Sequence, residues 1–253
     1  MRNAWQGMSF PFLFGLLIAC SMVLLFPVCK GEAQFKSTSQ ANSPEEFDAY
    51  LVVLSKKTPA EVLSAGKEFA RIWPHSELLA EVYQLEMDAY RSLNDTAGSI
   101  QAGQKALQAA PDNVTVMASL AYILADGTTD AQHLDMAQYY ARKALTILKT
   151  FHVSKRITPD QWNAIQFHVE SEVHGALGLV AYKKGDSTLA IREFENSLRL
   201  APAPNPLQYY RLGLLYQETG NKTKAVDMFQ HAAQLNDPTI QRLAQSRLQA
   251  LQH

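Results

Sequence analysis

The chain has 253 residues, of which 47% are hydrophobic, a share typical of globular proteins. Its 23 Lys and Arg residues nearly balance its 24 Asp and Glu residues, so the formal net charge of -1 lacks the basic excess of nucleic-acid-binding proteins. Both cysteines, Cys20 and Cys29, lie in the first thirty residues. The rest of the chain therefore has no disulfide framework, no cysteine-based metal site and no thiol nucleophile.

The N-terminal segment, residues 8–29, is uncharged and mostly apolar. We interpret residues 1–33 as a signal peptide or membrane anchor and residues 34–43 as a polar linker. Three alternatives stay open: a signal cleaved near Ala33, a retained membrane anchor, or lipid attached to Cys20, which follows a sequence similar to a bacterial lipobox. A basic residue precedes the apolar run, so each alternative predicts an exported body, periplasmic or anchored to the inner membrane outside the cytoplasm.

Residues 44–158 predict successive helix pairs. The first pair, Pro44 to Leu54 and Pro59 to Trp73, stops at Pro74. The second pair is marked by Tyr83, Tyr90, Ala106 and Pro111. The third pair carries small and apolar residues at helical spacing, namely Met117, Leu120, Ala121, Ala137, Ala141 and Ala144.

A long helix follows an interruption at residues 149–158. Thr158 and Pro159 are typical of an N-cap and a first helical turn, and the apolar stripe continues to about Lys184. The first apolar residues of this stripe, Trp162 and Ile165, allow two interpretations. They pack on the preceding helix pair, or they form a docking ridge for a partner or a second copy of the chain.

The strongest signal is an internal repeat between residues 174–202 and 209–238. Equivalent positions are 35 residues apart, and they are the pairs Leu177 and Leu212, Gly178 and Gly213, Gly185 and Gly220, Ala190 and Ala225, and Phe194 and Phe229. A glycine on the first helix and an alanine on the second permit close approach, while the phenylalanine fills the space between neighbouring units. One such unit cannot bury its apolar face alone, so the units must stack.

These two stretches resemble the tetratricopeptide repeat, most clearly in Tyr209-x-x-Leu212-Gly213-x-x-Tyr216 followed by Ala225-x-x-x-Phe229. The resemblance implies an all-α, right-handed α-solenoid of stacked antiparallel helix pairs. Residues 44–158 then form degenerate repeats, residues 159–238 form the two specific repeats, and residues 239–253 form a capping helix. We expect Ile240, Leu243, Ala244, Leu248 and Leu251 to lie on the apolar face of that cap.

The resemblance also implies a concave groove that is lined by the first helix of each unit and binds a peptide or helix of a partner protein, with no cofactor. The groove positions are Glu81, Gln84, Asp88, Arg91, Tyr122, Leu179, Tyr182, Tyr210, Leu214 and Gln217. Repeats of this family that grip chaperone tails use Lys and Asn at set positions, which here hold Gln84, Asp88, Ala118, Tyr122, Gly175 and Leu179. Only Arg211 fits that pattern, so the sequence disfavours chaperone-tail binding.

Catalysis has little support in the sequence. His168 with Glu172, and Glu170 with His174, are spaced four apart on the long helix, which is typical of surface salt bridges. We find no Gly-rich phosphate loop and no nucleophile elbow, so we expect neither an enzyme nor a metal site. The sequence favours a cell-envelope adaptor. The alternatives are a structural subunit held through its outer face and the long helix 159–184, and an enzyme with a site at the inserted loop.

Overall fold

The structure is a computed structural model that describes residues 40–150, 158–203 and 205–252. These residues form eleven α-helices and no strand. The helices are α1 (Pro44–Leu54), α2 (Pro59–Ile72), α3 (Leu79–Ser92), α4 (Thr96–Ala109), α5 (Val114–Gly127), α6 (Ala131–Thr150), α7 (Pro159–Lys183), α8 (Ser187–Leu200), α9 (Pro206–Glu218), α10 (Lys222–Gln234) and α11 (Pro238–Gln252). The predicted signal or anchor, residues 1–33, and most of the inserted loop lie outside the described residues.

Five helix pairs, α1–α2 through α9–α10, stack in chain order, and α11 packs on the last pair. This is the all-α solenoid that the sequence predicts. A single hydrophobic core runs from Met87 to Ala244 and joins the second to fifth pairs with α11. A smaller core joins the first pair to the start of α3, and its buried members are Val53, Phe69, Leu78, Leu79 and Val82.

Side-chain caps set where the helices begin. Thr158 accepts a hydrogen bond from the backbone N–H of Gln161, whose side chain accepts one from the N–H of Thr158 in return, and Pro159 supplies the fixed φ of the first turn. This capping box confirms the predicted start of α7. Asp and Asn residues cap other helices in the same way, at Asp95, Asn113, Asp186, Asn205 and Asn221.

The turns within three of the pairs share one backbone geometry. Asn94, Gly185 and Gly220 each adopt a left-handed conformation, with φ of 58°, 82° and 79°. In each turn the next residue donates its N–H to a carbonyl five residues earlier, in the bonds Asp95 to Tyr90, Asp186 to Ala181 and Asn221 to Tyr216. The α3–α4 pair therefore has the same turn as the two pairs with the clearest sequence repeat.

In each of the last two pairs the glycine packs against the phenylalanine of its own pair, a contact that the sequence did not predict. A Cβ at Gly178 would lie 3.0 Å from the Phe194 ring, and a Cβ at Gly213 would lie 2.7 Å from the Phe229 ring. A larger residue at either position would hold the two helices of the pair apart. Both rings are fully buried at this contact, which explains the spacing of the motif.

The α3–α4 pair uses the same contact with the two sizes exchanged. Met87 occupies the position of Gly178 and Gly213, and Gly103 occupies the position of Phe194 and Phe229. A Cβ at Gly103 would lie 2.9 Å from the Met87 sulfur. The large side chain thus comes from the first helix and the small one from the second, so these two departures from the motif compensate each other.

The two ends of the solenoid differ in polarity. The α11 helix buries Ile240 and Ala244 against the stack, whereas Leu243, predicted on that face, is 42% exposed. Leu243 lies on the outer side because the buried positions recur every four residues from Ile240. At the other end, α1 leaves four large apolar side chains exposed, namely Phe47, Leu51, Val52 and Leu54. No described helix is long and apolar enough to cross a membrane.

Candidate peptide-binding groove

The first helices of the third, fourth and fifth pairs meet at Gly175. A Cβ on this α7 residue would lie 2.6 Å from Nε2 of Gln208 on α9 and 3.2 Å from Cε2 of Tyr122 on α5. Any larger residue would displace one of these side chains. Gly175 therefore lets α5 and α9 approach each other across α7, and this approach forms the floor of the candidate groove.

Buried hydrogen bonds hold that floor together. Ser171 Oγ on α7 donates to the Ser197 carbonyl on α8 at 3.0 Å, and Ser197 Oγ lies 2.6 Å from the Ser171 carbonyl. Ser197 Oγ is also 3.0 Å from Oε1 of the buried Gln208. These side chains join three helices through polar contacts that are fully enclosed, which fixes their relative positions.

A pocket of about 250 Å³ opens above this floor, and it is lined by Asp126, Leu179, Tyr182, Lys183, Phe194, Arg211, Leu214 and Leu215. Three of the predicted groove residues, Leu179, Tyr182 and Leu214, meet here. Leu179 is buried and forms part of the base, Leu214 is half-buried, and Tyr182 is 42% exposed at the rim. Its hydroxyl donates to Glu218 Oε1 at 3.3 Å.

An ion pair that the sequence did not predict crosses the groove. Arg211 on α9 donates to the Tyr122 hydroxyl at 2.9 Å and to the Asp126 carboxylate, both on α5. The contact spans 89 positions of sequence between Tyr122 and Arg211. Burial raises the pKa of Tyr122, and the nearby guanidinium opposes that rise. Arg211, the one residue that fits the chaperone-tail pattern, is therefore engaged within the protein.

Lys183 closes the same side of the pocket. Its ammonium donates to the backbone carbonyls of Ala125, Asp126 and Thr128 at 2.6, 2.8 and 2.5 Å. These carbonyls lie at the C-terminal end of α5, where a cation complements the helix dipole. Burial lowers the pKa of Lys183, and Asp126 opposes that shift. The side chain fixes the long α5–α6 turn against α7.

The remaining predicted groove residues lie outside the pocket. Tyr210 is half-buried, with its ring 5.6 Å from that of Phe229 and its hydroxyl 3.5 Å from Nε of Arg247 on α11. The Gln217 side-chain oxygen is buried and has no hydrogen-bond partner among the described residues. Gln84 and Asp88 are half-buried on α3, where burial raises the pKa of Asp88.

The two residues of the proposed docking ridge at the start of α7 differ in exposure. Trp162 is half-buried and packs against the main core, whereas Ile165 is 37% exposed and Phe167 is 48% exposed. Trp162 is thus partly covered by the core, whereas Ile165 is exposed at the surface. The apolar surface of this helix end consists of Ile165 and Phe167, because Trp162 lies on its inner side.

The long helix places its histidines in two different settings. His168 lies 3.9 Å from Glu172, as its spacing predicts, and Glu172 accepts a 2.8 Å hydrogen bond from Ser119 on α5. His174 pairs at 2.7 Å with Glu193 on α8 and not with Glu170, because its side chain faces α8. The described residues hold no group of three His, Cys, Asp or Glu side chains that is placed to bind a metal.

Comparison with known proteins identifies the repeat. The tetratricopeptide repeat family model matches residues 171–204 and 209–238, the α7–α8 and α9–α10 pairs. The chain contains tetratricopeptide repeats. The sequence resemblance is therefore confirmed at the two units that carry its motif. The α3–α4 pair, outside the matched residues, has the same left-handed turn and a packing contact at the equivalent positions.

Solved structures of other proteins have the same fold at low sequence identity. PilW, a type IV pilus biogenesis factor, has a TM-score of 0.55 at 13% identity, covering 82% of this chain and 94% of its own. PilF of Pseudomonas aeruginosa has a TM-score of 0.54 at 17% identity, covering 82% and 89%. MamA of Desulfovibrio magneticus RS-1 has a TM-score of 0.54 at 15% identity, covering 76% and 96%. No curated protein sequence matches this chain.

The sequence assigned no groove position to three residues that line the pocket. Asp126, Lys183 and Arg211 shape the pocket, but none of them belongs to the repeat motif. No sequence signal could have found Lys183, because its contacts depend on how the end of α5 lies against α7.

Proposed function

We propose that this tetratricopeptide chain is a protein-interaction scaffold of the cell envelope, and that its C-terminal units bind an extended peptide or a helix of a partner protein. The observation that carries the proposal is the pocket between α7 and α9, where Leu179, Tyr182 and Leu214 converge. Its envelope location rests on the uncharged apolar segment at residues 8–29. The similarity of fold to PilW, a type IV pilus biogenesis factor, adds an analogy.

The size of the pocket favours a peptide side chain over a small-molecule substrate. Its volume of about 250 Å³ falls below the roughly 300–1,000 Å³ that is typical of small-molecule sites. A base of Phe194, Leu179 and Leu215 suits one or two apolar side chains. Tyr182 at the rim adds contact area and a polar tip at low entropic cost.

The charges around the pocket also favour an apolar ligand. Arg211 is paired with Asp126, and the Lys183 ammonium is surrounded by three carbonyl oxygens. Asp126 thus neutralises Arg211, and the three carbonyl oxygens accept the hydrogen bonds of the Lys183 ammonium, so both cations already have partners within the protein. We therefore expect an apolar anchor to supply most of the affinity, with polar contacts confined to Tyr182 and Glu218 at the rim.

The test is a pull-down from detergent-solubilised envelope with the wild-type chain and a Tyr182→Ser/Leu214→Gln variant. We expect the partner to be lost from the variant, because both changes remove apolar surface from the pocket. The matched control is Tyr139→Ser, which removes a tyrosine that is 59% exposed on α6, away from the pocket. Circular dichroism checks folding. A partner that binds the double variant unchanged would refute the groove proposal.

A structural role through the outer surface is the second candidate. The observation that favours it is that the apolar side chains of Ile165 and Phe167, near the start of α7, are both exposed. An Ile165→Ser/Phe167→Ser variant would then lose the partner while the Tyr182→Ser/Leu214→Gln variant keeps it. The opposite result supports the groove. Circular dichroism again checks that both double variants are folded.

A further inference from the structure

The first helix pair joins the rest of the solenoid where two hydrophobic cores meet. The smaller core contains Val53 of α1, Phe69 of α2 and the start of α3 as far as Val82, whereas the main core begins at Met87. The pair contacts the rest of the solenoid mainly through α2 against α3. We call this contact the α2–α3 seam. It decides whether the first pair stays in the stack.

Glu86 of α3 lies buried in the α2–α3 seam, between the two cores. The residue is 4% exposed, and its Oε1 has no hydrogen-bond partner among the described residues. A Cβ at Gly66 of α2 would lie 2.6 Å from that oxygen, so the carboxyl packs against the α2 backbone where the glycine leaves room. A carboxylate is costly in such a position, whereas a neutral carboxyl costs much less.

Three titratable groups face Glu86 from the helices around it. They are Lys67 on α2, Lys105 on α4 and Tyr83 on α3 itself. Both lysines are exposed, and the Lys105 ammonium lies over the Tyr83 ring, 5.6 Å from its centroid. Burial raises the pKa of Glu86, and the two lysines only partly oppose that rise. The closed seam therefore favours the neutral carboxyl.

We propose that Glu86 is a proton-controlled latch that holds the first helix pair against the rest of the solenoid. At low pH the carboxyl is neutral and the α2–α3 seam is closed. As pH rises from 4.5 through the raised pKa, the carboxyl ionises, and its charge is stabilised by water that reaches it when α2 moves away from α3. Because a raised pKa stabilises the closed form at low pH, the latch weakens as pH rises.

Opening the latch alters the N-terminal end of the groove. Thr58 and Asp95 each cap the second helix of their pair, and they are 37 residues apart (95 − 58). The same offset relates α3 groove positions to α1 residues, in the pairs Gln84 and Phe47, Asp88 and Leu51, and Arg91 and Leu54. The three α1 residues are apolar and 43–48% exposed, and they move with the first pair. This consequence rests on the proposed groove, but the latch itself does not.

Hydrogen exchange followed by mass spectrometry tests the latch in the full chain in detergent. Protection factors, which remove the pH dependence of the chemical exchange step, are compared at pH 5 and pH 8 for α1–α2 and for α9–α10. Glu86→Gln keeps a neutral side chain of similar shape at both pH values. The matched control is Glu68→Gln. Glu68 is an exposed α2 carboxylate whose hydrogen bonds with Arg71 lower its pKa, so it stays ionised at both pH values.

We expect the protection of α1–α2 to fall about tenfold from pH 5 to pH 8 in the wild type and in Glu68→Gln, with α9–α10 unchanged, and to stay constant in Glu86→Gln. An equal fall in Glu86→Gln would overturn the proposal, because another group would then be its source. Constant protection of α1–α2 in the wild type would also overturn it. So would a fall shared by all helices, since no separate pair would then open. The wild-type comparison needs no substitution, so the test stands even where a variant fails to fold.

Discussion

Exchanging the sizes of Met87 and Gly103 tests whether the α3–α4 pair is a true repeat with its contact reversed. The perturbation is Met87→Gly together with Gly103→Phe, which restores the arrangement seen at Gly213 and Phe229. Each single change is studied beside the double change. If the two residues fill one shared space, the double variant recovers much of the stability that the single variants lose.

The magnitudes follow from the packing. Met87 is 1% exposed, so its removal costs about 2–5 kcal/mol for the lost side chain and about 1 kcal/mol for a glycine within a helix. Gly103→Phe alone places a ring where a mere Cβ would lie 2.9 Å from the Met87 sulfur and 3.2 Å from Leu120, and such overpacking costs about 1–3 kcal/mol or more. In the double variant, the glycine removed from α4 offsets the glycine introduced into α3. We expect the double variant to be at least about 2 kcal/mol more stable than the sum of the two single losses predicts.

The assay is urea unfolding followed by circular dichroism for the wild type, both single variants and the double variant. The reciprocal cycle, Gly213→Met with Phe229→Gly, is the control, since the same exchange is expected to be tolerated there. A double variant whose loss equals the sum of the single losses would refute the reasoning. Met87 and Gly103 would then be two independent packing sites and not one contact.

Three further predictions concern single residues, each measured by thermal unfolding. Burial raises the pKa of Glu86, so ionisation of this carboxyl opposes folding. Its neutral form contributes stability below the ordinary pKa of 4.5, and that contribution is lost as pH rises through the raised pKa. We therefore expect Glu86→Gln to raise the free energy of unfolding by about 1 kcal/mol at pH 7, or Tm by about 2–4 °C, and to change it little at pH 4. Equal gains at both pH values would contradict this. Lys183→Met should lower the free energy of unfolding by about 1–2 kcal/mol, because three carbonyls lose a charged donor. The control Lys184→Met should lower it by less than about 0.5 kcal/mol. Equal losses would contradict a capping role for Lys183. Asn94→Gly should stabilise the α3–α4 turn by a few tenths of a kcal/mol, and Gly220→Ala should destabilise its turn by about 1 kcal/mol, whereas an unchanged Tm in both would argue against the shared left-handed geometry.

The repeat motif made the fold predictable because it records contacts within one unit. Gly178 and Phe194 are in contact within a single helix pair, so their fixed spacing in the sequence corresponds to a packing contact. Met87 and Gly103 looked like departures because the motif fixes which helix carries the large side chain. The physical requirement concerns only their combined volume, so a sequence comparison position by position misses the compensation.

The candidate site was less predictable because it depends on contacts between units. Leu179, Tyr182 and Leu214 were placed in the groove by position, and the structure brings them to one pocket. Tyr210 was also placed in the groove by position, but it lies outside the pocket, with its hydroxyl 3.5 Å from Nε of Arg247 on α11. Neighbours of this kind are set by how the units stack, which a periodic pattern within one unit does not record.

Residues outside the motif connect successive units across the groove. Arg211 ties α9 to Tyr122 and Asp126 on α5, across the intervening α7, and Gly175 provides the space for that approach. The motif fixes how the two helices of a unit pack, whereas this bridge fixes how three successive units face one another. A change at Arg211 would therefore alter the opening of the pocket while leaving each unit folded. The same repeats can thus present different sites, because the motif and the residues that shape the groove are separate sets.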